Sequence, residues 1–362
     1  MHMARQIALI TNLYPSPERP HFGTFVRNAH ESLSARGWNV ELHALSQGSN
    51  AASAYARFYW RAFKNLVRFK GVAYVHYVSH SALPVIAAKA LNWRLKIVPH
   101  YHGSDAFPEA HEGIGRRTIK KLVCSLANYC SESIVVPSAD FGERVRSAFS
   151  YAKPIFVSPS GGVDASVFHV GNKDDRRFTA GFAGRLIAGK GAVVAARVLR
   201  DMLDKNASAS AIVIGDGEEK ASVASALIGL RQQDRLEMTG FLPQDELAAR
   251  FREVQILLFP SDRKGESLGL VWIEAALCGA VPLVMANGVT EKLIPASLQH
   301  QLVCRDEGEM AGKLDALIRD PSMVRSIQTQ LVSELKETYD SMHVGDRLDM
   351  HLSGIEANVH GS

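Results

Sequence analysis

Cysteine is scarce in this 362-residue chain: Cys124, Cys130, Cys278 and Cys304 are the only four, with no C-x-x-C spacing and no partner histidine motif. That excludes a disulfide framework and a cysteine zinc site, and points to reduced thiols in a cytosolic protein. Long hydrophobic runs are also missing. No stretch approaches the roughly 18 consecutive apolar residues of a membrane span. The apolar run in the opening MHMARQIALITN is too short and too strand-like for a secretory leader. Acidic residues are missing from one whole segment. Between Glu41 and Asp105 there is none, while Arg57, Arg61, Lys64, Arg68, Lys70, Lys89, Arg94 and Lys96 supply eight positive charges. With a formal net charge of +4 for the chain, the remainder is net negative. A one-sided field of this kind attracts an anionic partner to the first half.

What is present is an ordinary globular balance, 46% apolar and 22% charged, which suits a soluble protein with a sizeable core. The length exceeds the roughly 250–300 residues at which one core stops growing, so two domains are expected. Short β-rich apolar runs alternate with helical patterns, the signature of βαβ units and parallel sheets. The first half offers QIALITN, VELHALS, AYVHYV, KIVPHYHG, SIVVPS and PIFVSPS; the second offers TAGFAGRL, SAIVIGDG, LEMTG, QILLFPS and VPLVMAN. Between them, SPSGGVDASVFHVGNKDDRR carries Pro, Gly and clustered charge, and reads as the linker. The expected fold is α/β: two Rossmann-like doubly wound domains facing a central cleft. We place the first of these domains at 1–165 and the second at 166–340. After a helical stretch to about 340, residues 341–362 read as a polar tail able to pack back on the first domain.

In such sheets ligands bind beyond the carboxyl ends of the strands, and the polar motifs fall there. After QILLFPS, the loop DRKGES leads into LGLVWIEAALCG, read as a helix capped by Gly279. Its first-turn amides, around Leu268, Gly269 and Leu270, lack intrahelical partners and suit a diphosphate. Glu266 and Glu274 flank them, either as acceptors for sugar hydroxyls or as an N-terminal acid and a partly exposed helix glutamate. FAGRLIAGKG places Arg185 and Lys190 at another strand exit, where two cations can hold phosphates or merely be solvated. PHYHGSD ends a strand with His102, a polar group for a ligand or a satisfied structural histidine. Gly23 lies in the loop leaving the first strand. In RFYWRAFKNLVRFK, Arg57, Arg61, Lys64 and Arg68 form one helical stripe opposite Tyr59, Trp60, Phe63, Leu66 and Val67. Such a helix either packs on its own domain or lies on anionic lipid.

Several of these stretches, in this order, resemble the retaining GT-B glycosyltransferases of family 4, the glycosyltransferase group 1 class. GRLIAGKG is similar to that family's Gly-Arg-Leu…Lys-Gly loop, VIGDGEE to its Gly-x-Gly turn, and GESLGLVWIEAALCGAVPLV to its Glu-x7-Glu segment. SGGVDASVF resembles its interdomain linker and PHYHGSD its His-Gly-x-Asp motif. The resemblance implies that Arg185 and Lys190 bind the donor diphosphate, that Glu274 holds the ribose, and that Glu266 contacts the transferred sugar. It places His102 near the anomeric carbon, with Gly23 and the amides near Gly269 and Leu270 on phosphate or sugar. Ser267 stands where the family commonly has Gly or Pro, and Phe22-Gly23 where it often has paired glycines. The implied activity is metal-independent transfer of a hexose-type sugar from a UDP- or GDP-sugar to a saccharide or lipid-linked acceptor, as in bacterial cell-surface polysaccharide or glycolipid synthesis. No cofactor, metal or nucleic acid is expected, and the expected location is cytoplasmic. From the helix itself, Arg57, Trp60, Arg61, Lys64 and Arg68 read as a surface either for an acceptor or for the inner face of the plasma membrane, where the enzyme would be peripheral. The rivals are a nucleotide-sugar epimerase and a non-catalytic two-lobed sugar-binding protein.

Overall fold

The computed structural model describes residues 5–17, 22–45, 52–107, 112–171, 176–228, 233–263 and 266–360. The chain divides into two compact units, Met1–Gly162 with Ser341–Ser362, and Val163–Asp340.

The first unit holds β1 (Arg5–Thr11), β2 (Trp38–Ala44), β3 (Val72–His76), β4 (Lys96–His100), β5 (Ile134–Val136) and β6 (Ile155–Val157), in the order β2-β1-β3-β4-β5-β6. All pairings are parallel. Residues 72–76 of β3 are all buried, as expected of a central strand covered on both faces. One face carries the helices Ala52–Leu66, Leu83–Leu91 and Ile114–Cys130, through Phe58, Val85 and Val123 among others. The other face carries Ala29 and Leu33 from the helix Thr24–Ala35, together with Leu348 and Leu352.

Those last two residues belong to the stretch read as a polar tail, which is instead the helix Ser341–His360. Val344, Leu348 and Leu352, spaced by four, form its buried stripe. Its polar residues are also engaged: Asp349 accepts from Trp38 Nε1 and Arg5, both at 2.7 Å, and the His351 ring stacks on Phe156 at 4.3 Å. Met342 and Met350 are apolar too but stay exposed on the same helix, so the apolar positions by themselves do not single out one face; here the sheet supplies the partner surface.

The second unit holds β7 (Phe178–Ala183), β8 (Ala211–Ile214), β9 (Leu236–Gly240), β10 (Val254–Phe259), β11 (Val281–Met285) and β12 (Val303–Cys304), again all parallel, in the order β12-β11-β10-β7-β8-β9. Eleven of the twelve strands coincide with the apolar runs of the sequence; β12, two residues long, has no such signal. Each sheet reverses its winding once, between β1 and β3 in the first and between β7 and β10 in the second. Such a reversal opens a crevice at the strand ends.

Candidate active site

In the second unit the loops leaving β7 and β10 straddle that reversal point, and they carry Arg185, Lys190 and Glu266. Their close approach depends on glycine. Gly191 (φ +73°) begins the helix Ala192–Lys205, and a Cβ there would stand 2.2 Å from the carbonyl oxygen of Pro260. The amide of Asp262 donates to the carbonyl of Gly189 at 3.1 Å and locks the two loops together, while the Ser261 hydroxyl, 3.2 Å from the same carbonyl, shares its one proton between it and Glu266. Lys190 Nζ then lies 2.6 Å from Glu266 Oε2, which also accepts from Ser261 Oγ at 3.1 Å. Burial works against the Glu266 charge, but Lys190 and the Ser261 hydroxyl outweigh it and hold the carboxyl below its ordinary range. Arg185 is exposed and makes no ion pair among the described residues. The two cations are therefore unlike: Arg185 is free, while Lys190 is held by one of the two glutamates.

The helix beyond Glu266 runs Leu270–Leu277, starting two residues later than the sequence pattern suggests. Gly269 is the reason. It sits at φ +72°, outside helical geometry, with Phe259 so close that a Cβ would meet it at 2.7 Å. Leu268 is buried, and its carbonyl accepts from Trp272 Nε1 at 3.1 Å. The first-turn amides of Leu270 and Val271 meet no acceptor among the described residues, so the helix end keeps anion-binding capacity one step further along. Glu274 is the fifth residue of this helix, and its carboxylate meets no donor among the described residues. Burial alone pushes it up to about 7.

In the first unit, Gly23 (φ +78°) caps the helix Thr24–Ala35, and a Cβ there would come within 2.7 Å of the Leu13 carbonyl. The close approach that demands glycine is thus to the chain's own β1 exit loop. Two residues on, the Phe25 ring lies 4.3 Å from that of His102. His102 follows β4, half-buried, with Nε2 2.9 Å from His76 Nδ1. Burial and the neighbouring histidines push His102 and His100 well below the ordinary imidazole value; burial takes His76 down to about 3. All three rings are neutral. Asp105 is fully buried and fixes the loop: Oδ1 accepts from the amides of His102 and Gly103, both at 2.9 Å, and Oδ2 from Val78 at 3.1 Å.

His76, His100 and Asp105 were not singled out in the sequence. The signal that could have found the two histidines is that each ends its strand, AYVH in β3 and KIVPH in β4, but it needs the strand order, in which His76 and His100 are register partners; Asp105 is the acid of HGSD. The three histidines offer nitrogen atoms within 4.8 Å of one another, a group that could hold a metal ion. Two nitrogens sharing a tetrahedral ion at ~2.0–2.1 Å would sit about 3.3 Å apart, so the 2.9 Å His76–His102 contact fits a ring N–H donating to a ring nitrogen better.

The stripe helix Ala52–Leu66 corrects one expectation. Leu66 is core, and Tyr59 and Phe63 are half-buried against it, so neither forms a free aromatic face. Trp60 alone stays exposed, stacked 5.9 Å from Phe63 and beside Lys64, within the outward stripe of Arg57, Arg61, Lys64 and Arg68. Phe58, at the spacing of Ala54, Ala62 and Leu66, sets the buried face and rotates its neighbours inward.

Residues 163–331 match the family model described as Glycosyl transferases group 1. The 2-deoxystreptamine glucosyltransferase of Streptomyces kanamyceticus is 36% identical over 109 residues, 30% of this chain and 27% of that protein. The D-inositol 3-phosphate glycosyltransferase 1 of Catenulispora acidiphila is 26% identical over 220 residues, 55% of this chain and 51% of that protein. The chain thus spans between about a quarter and a half of the length of these curated relatives. Anabaena HepE, solved in complex with UDP and glucose, superposes with a TM-score of 0.72 at 15% identity, covering 97% of this chain and all of HepE. The second unit carries the signature of the group 1 glycosyl transferases over residues 163–331, and the two parallel six-stranded sheets have the fold of solved GT-B glycosyltransferases.

Proposed function

We propose that the protein is a retaining glycosyltransferase that moves a hexose-type sugar from a UDP- or GDP-sugar to an acceptor hydroxyl. The observation that carries this is the grouping, at the reversal point of the second sheet, of free Arg185, the Lys190–Glu266 pair and the open amides of Leu270 and Val271. Arg185 and these amides suit the diphosphate, and Lys190 can turn from Glu266 to a phosphate oxygen as the donor enters. Glu266 then accepts from hydroxyls of the sugar, and Glu274 from the ribose. In the first unit the neutral ring of His102 is suited to hydrogen-bond a sugar hydroxyl without adding charge.

The reaction breaks the bond between the anomeric carbon and the diphosphate oxygen and forms one to the acceptor oxygen on the same face. The departing phosphate takes the acceptor's proton. Negative charge grows on the diphosphate as the bond breaks, and fixed cations and amides stabilise it there. This reading needs no divalent ion. The acceptor we favour is a saccharide or lipid-linked molecule of cell-surface polysaccharide or glycolipid synthesis, met at the cytoplasmic side of a membrane. No helix among the described residues is long and apolar enough to cross one.

The test is incubation with UDP-glucose, UDP-N-acetylglucosamine and GDP-mannose in the presence of EDTA, after a thermal-shift screen of the same donors. Transfer with retained anomeric configuration supports the proposal. Conversion of the donor to an epimer, or binding with no turnover against any acceptor, overturns it.

A further inference from the structure

The first unit presents an apolar row to solvent. In the helix Ile114–Cys130, Val123, Cys124 and Ala127 turn onto the core, while Ile119, Leu122, Leu126 and Tyr129 recur at spacings of three and four on the outward side. Leu122 is 58% exposed and Tyr129 82%. Single exposed apolar residues are ordinary, but a contiguous row of them marks an interaction surface. The helix Leu83–Leu91 packs beside this one, and the helix Ala52–Leu66 beside that, all three on the same face of the first sheet. Leu91 and Trp93, each 68% exposed, and Trp60 extend the apolar surface across the layer.

Charge indicates what covers it. None of the three helices contains Asp or Glu. Exposed Arg116 and Lys121 flank the apolar row, and the stripe of Arg57, Arg61 and Lys64 faces outward on the far helix, with exposed Arg68 in the turn that follows it. The Arg94 guanidinium lies 5.0 Å over the Trp93 ring, and Lys64 Nζ 5.9 Å over that of Trp60. The acids beside the layer are engaged: Glu112 with Lys120 at 2.6 Å, Glu132 with Lys96 at 3.4 Å, and Glu41, next to Arg61 and Lys64, with Asn65 Nδ2 at 3.0 Å. Aromatic rings beside cations, around an aliphatic row and on helices that contain no carboxylate, match the headgroup region of a bilayer, where rings lie at the interface and cations meet lipid phosphates.

We propose that this three-helix face docks on an anionic phospholipid bilayer. Ile119, Leu122 and Leu126 enter the boundary between headgroups and acyl chains, and the basic stripe of Ala52–Leu66 holds the protein at the phosphates. The inserting element is the helix Ile114–Cys130, whose sequence alone does not reveal which side faces out. The inference is independent of the proposed transfer reaction, because no residue of the candidate active site takes part.

The experiment is flotation of the full chain with vesicles of phosphatidylcholine alone and of phosphatidylcholine mixed with phosphatidylglycerol, at low and high salt. The wild type is expected to float with the anionic vesicles and to be released by salt. The Ile119/Leu122/Leu126→Ser variant is expected to partition at least about tenfold more weakly even at low salt. The Arg57/Arg61/Lys64→Glu variant is expected to lose the preference for anionic lipid. Unchanged melting and nucleotide binding would show that both variants are folded. Absence of wild-type flotation, or flotation that the serine variant leaves intact, overturns the proposal. So does a wild-type dimer in light scattering that the serine variant converts to monomer without any vesicle binding, which would assign the face to a second copy of the chain.

Discussion

Lys190 Nζ and Glu266 Oε2 stand 2.6 Å apart, joining the exit loops of two adjacent strands through side chains that are both largely buried. The pair therefore has a structural part as well as a proposed place in donor binding. Removing one member strands the other charge in a dry setting, which typically costs about 3 kcal/mol or more. Lys190→Ala should lower stability by about that amount. The double variant Lys190→Ala/Glu266→Gln should recover much of the loss while staying inactive. Urea unfolding of the two single variants and the double checks this; additive losses would show that the two side chains are not coupled.

Arg185 has no such structural tie, and its removal should separate binding from folding. Arg185→Ala should melt as the wild type does, yet lose on the order of 10²-fold in turnover through missing charge stabilisation. Near-normal turnover would remove Arg185 from the site.

Glu274 makes a prediction about pH. Its folded value is raised to about 7 from an ordinary 4.5, so between these values the native state holds a proton that the unfolded chain has released. Stability contributed by this group is therefore full below about pH 4.5, falls as pH rises, and is lost above about pH 7. The span corresponds to at most about 3 kcal/mol. Glu274→Gln should match the wild type near pH 4 and exceed it near pH 8 in denaturant unfolding, while binding UDP more weakly in calorimetry. Parallel stability curves would mean that the carboxyl is not strained, and unchanged UDP affinity would detach it from the ribose.

The strands were legible because buried parallel strands are short, continuous and rich in Val, Ile and Leu, as in QIALIT and QILLF. That Arg185, Lys190, Glu266 and His102 lie in the loops just past strand ends was legible for the same reason, because each loop follows directly on such an apolar run. Pairings were not. That Lys190 meets Glu266 follows from β7 lying beside β10, and that His76 meets His102 follows from β3 lying beside β4; neither adjacency is written locally. The outward row on Ile114–Cys130 was hidden for a related reason. A helix with apolar residues on both sides gives no local sign of which side the sheet will cover.

Gly23 offers a test of local geometry. At φ +78°, with the Leu13 carbonyl 2.7 Å from any added Cβ, even alanine must shift the β1 exit loop or the start of the helix Thr24–Ala35. The left-handed conformation alone costs about 1–2 kcal/mol for a residue with a side chain. Gly23→Ala should destabilise by at least that much. Gly37→Ala, also at positive φ but with open space around it, should cost only the conformational part. Equal losses in thermal unfolding would show that the Leu13 contact relaxes freely.

The last prediction concerns the tautomer of His102. His76 is neutral and buried, and its Nε2 has no partner among the described residues, whereas its Nδ1 lies 2.9 Å from His102 Nε2. A neutral ring has one N–H, and a buried donor left unpaired is less tolerable than a buried acceptor left unpaired. The proton therefore belongs on His76 Nδ1, which donates to His102 Nε2. His102, neutral as well, then carries its own proton on Nδ1, where it can donate to a ligand oxygen. Nitrogen-15 NMR should find the Nδ1–H form of His102 dominant in the wild type and mixed with the Nε2–H form in His76→Phe. Turnover in that variant should fall about tenfold, with less change in KM, because the ring keeps its place but not its donor. A His102 that is already an Nε2–H tautomer in the wild type would reverse the direction of the bond. His76 would then be the acceptor, and its variant should leave the tautomer of His102 unchanged.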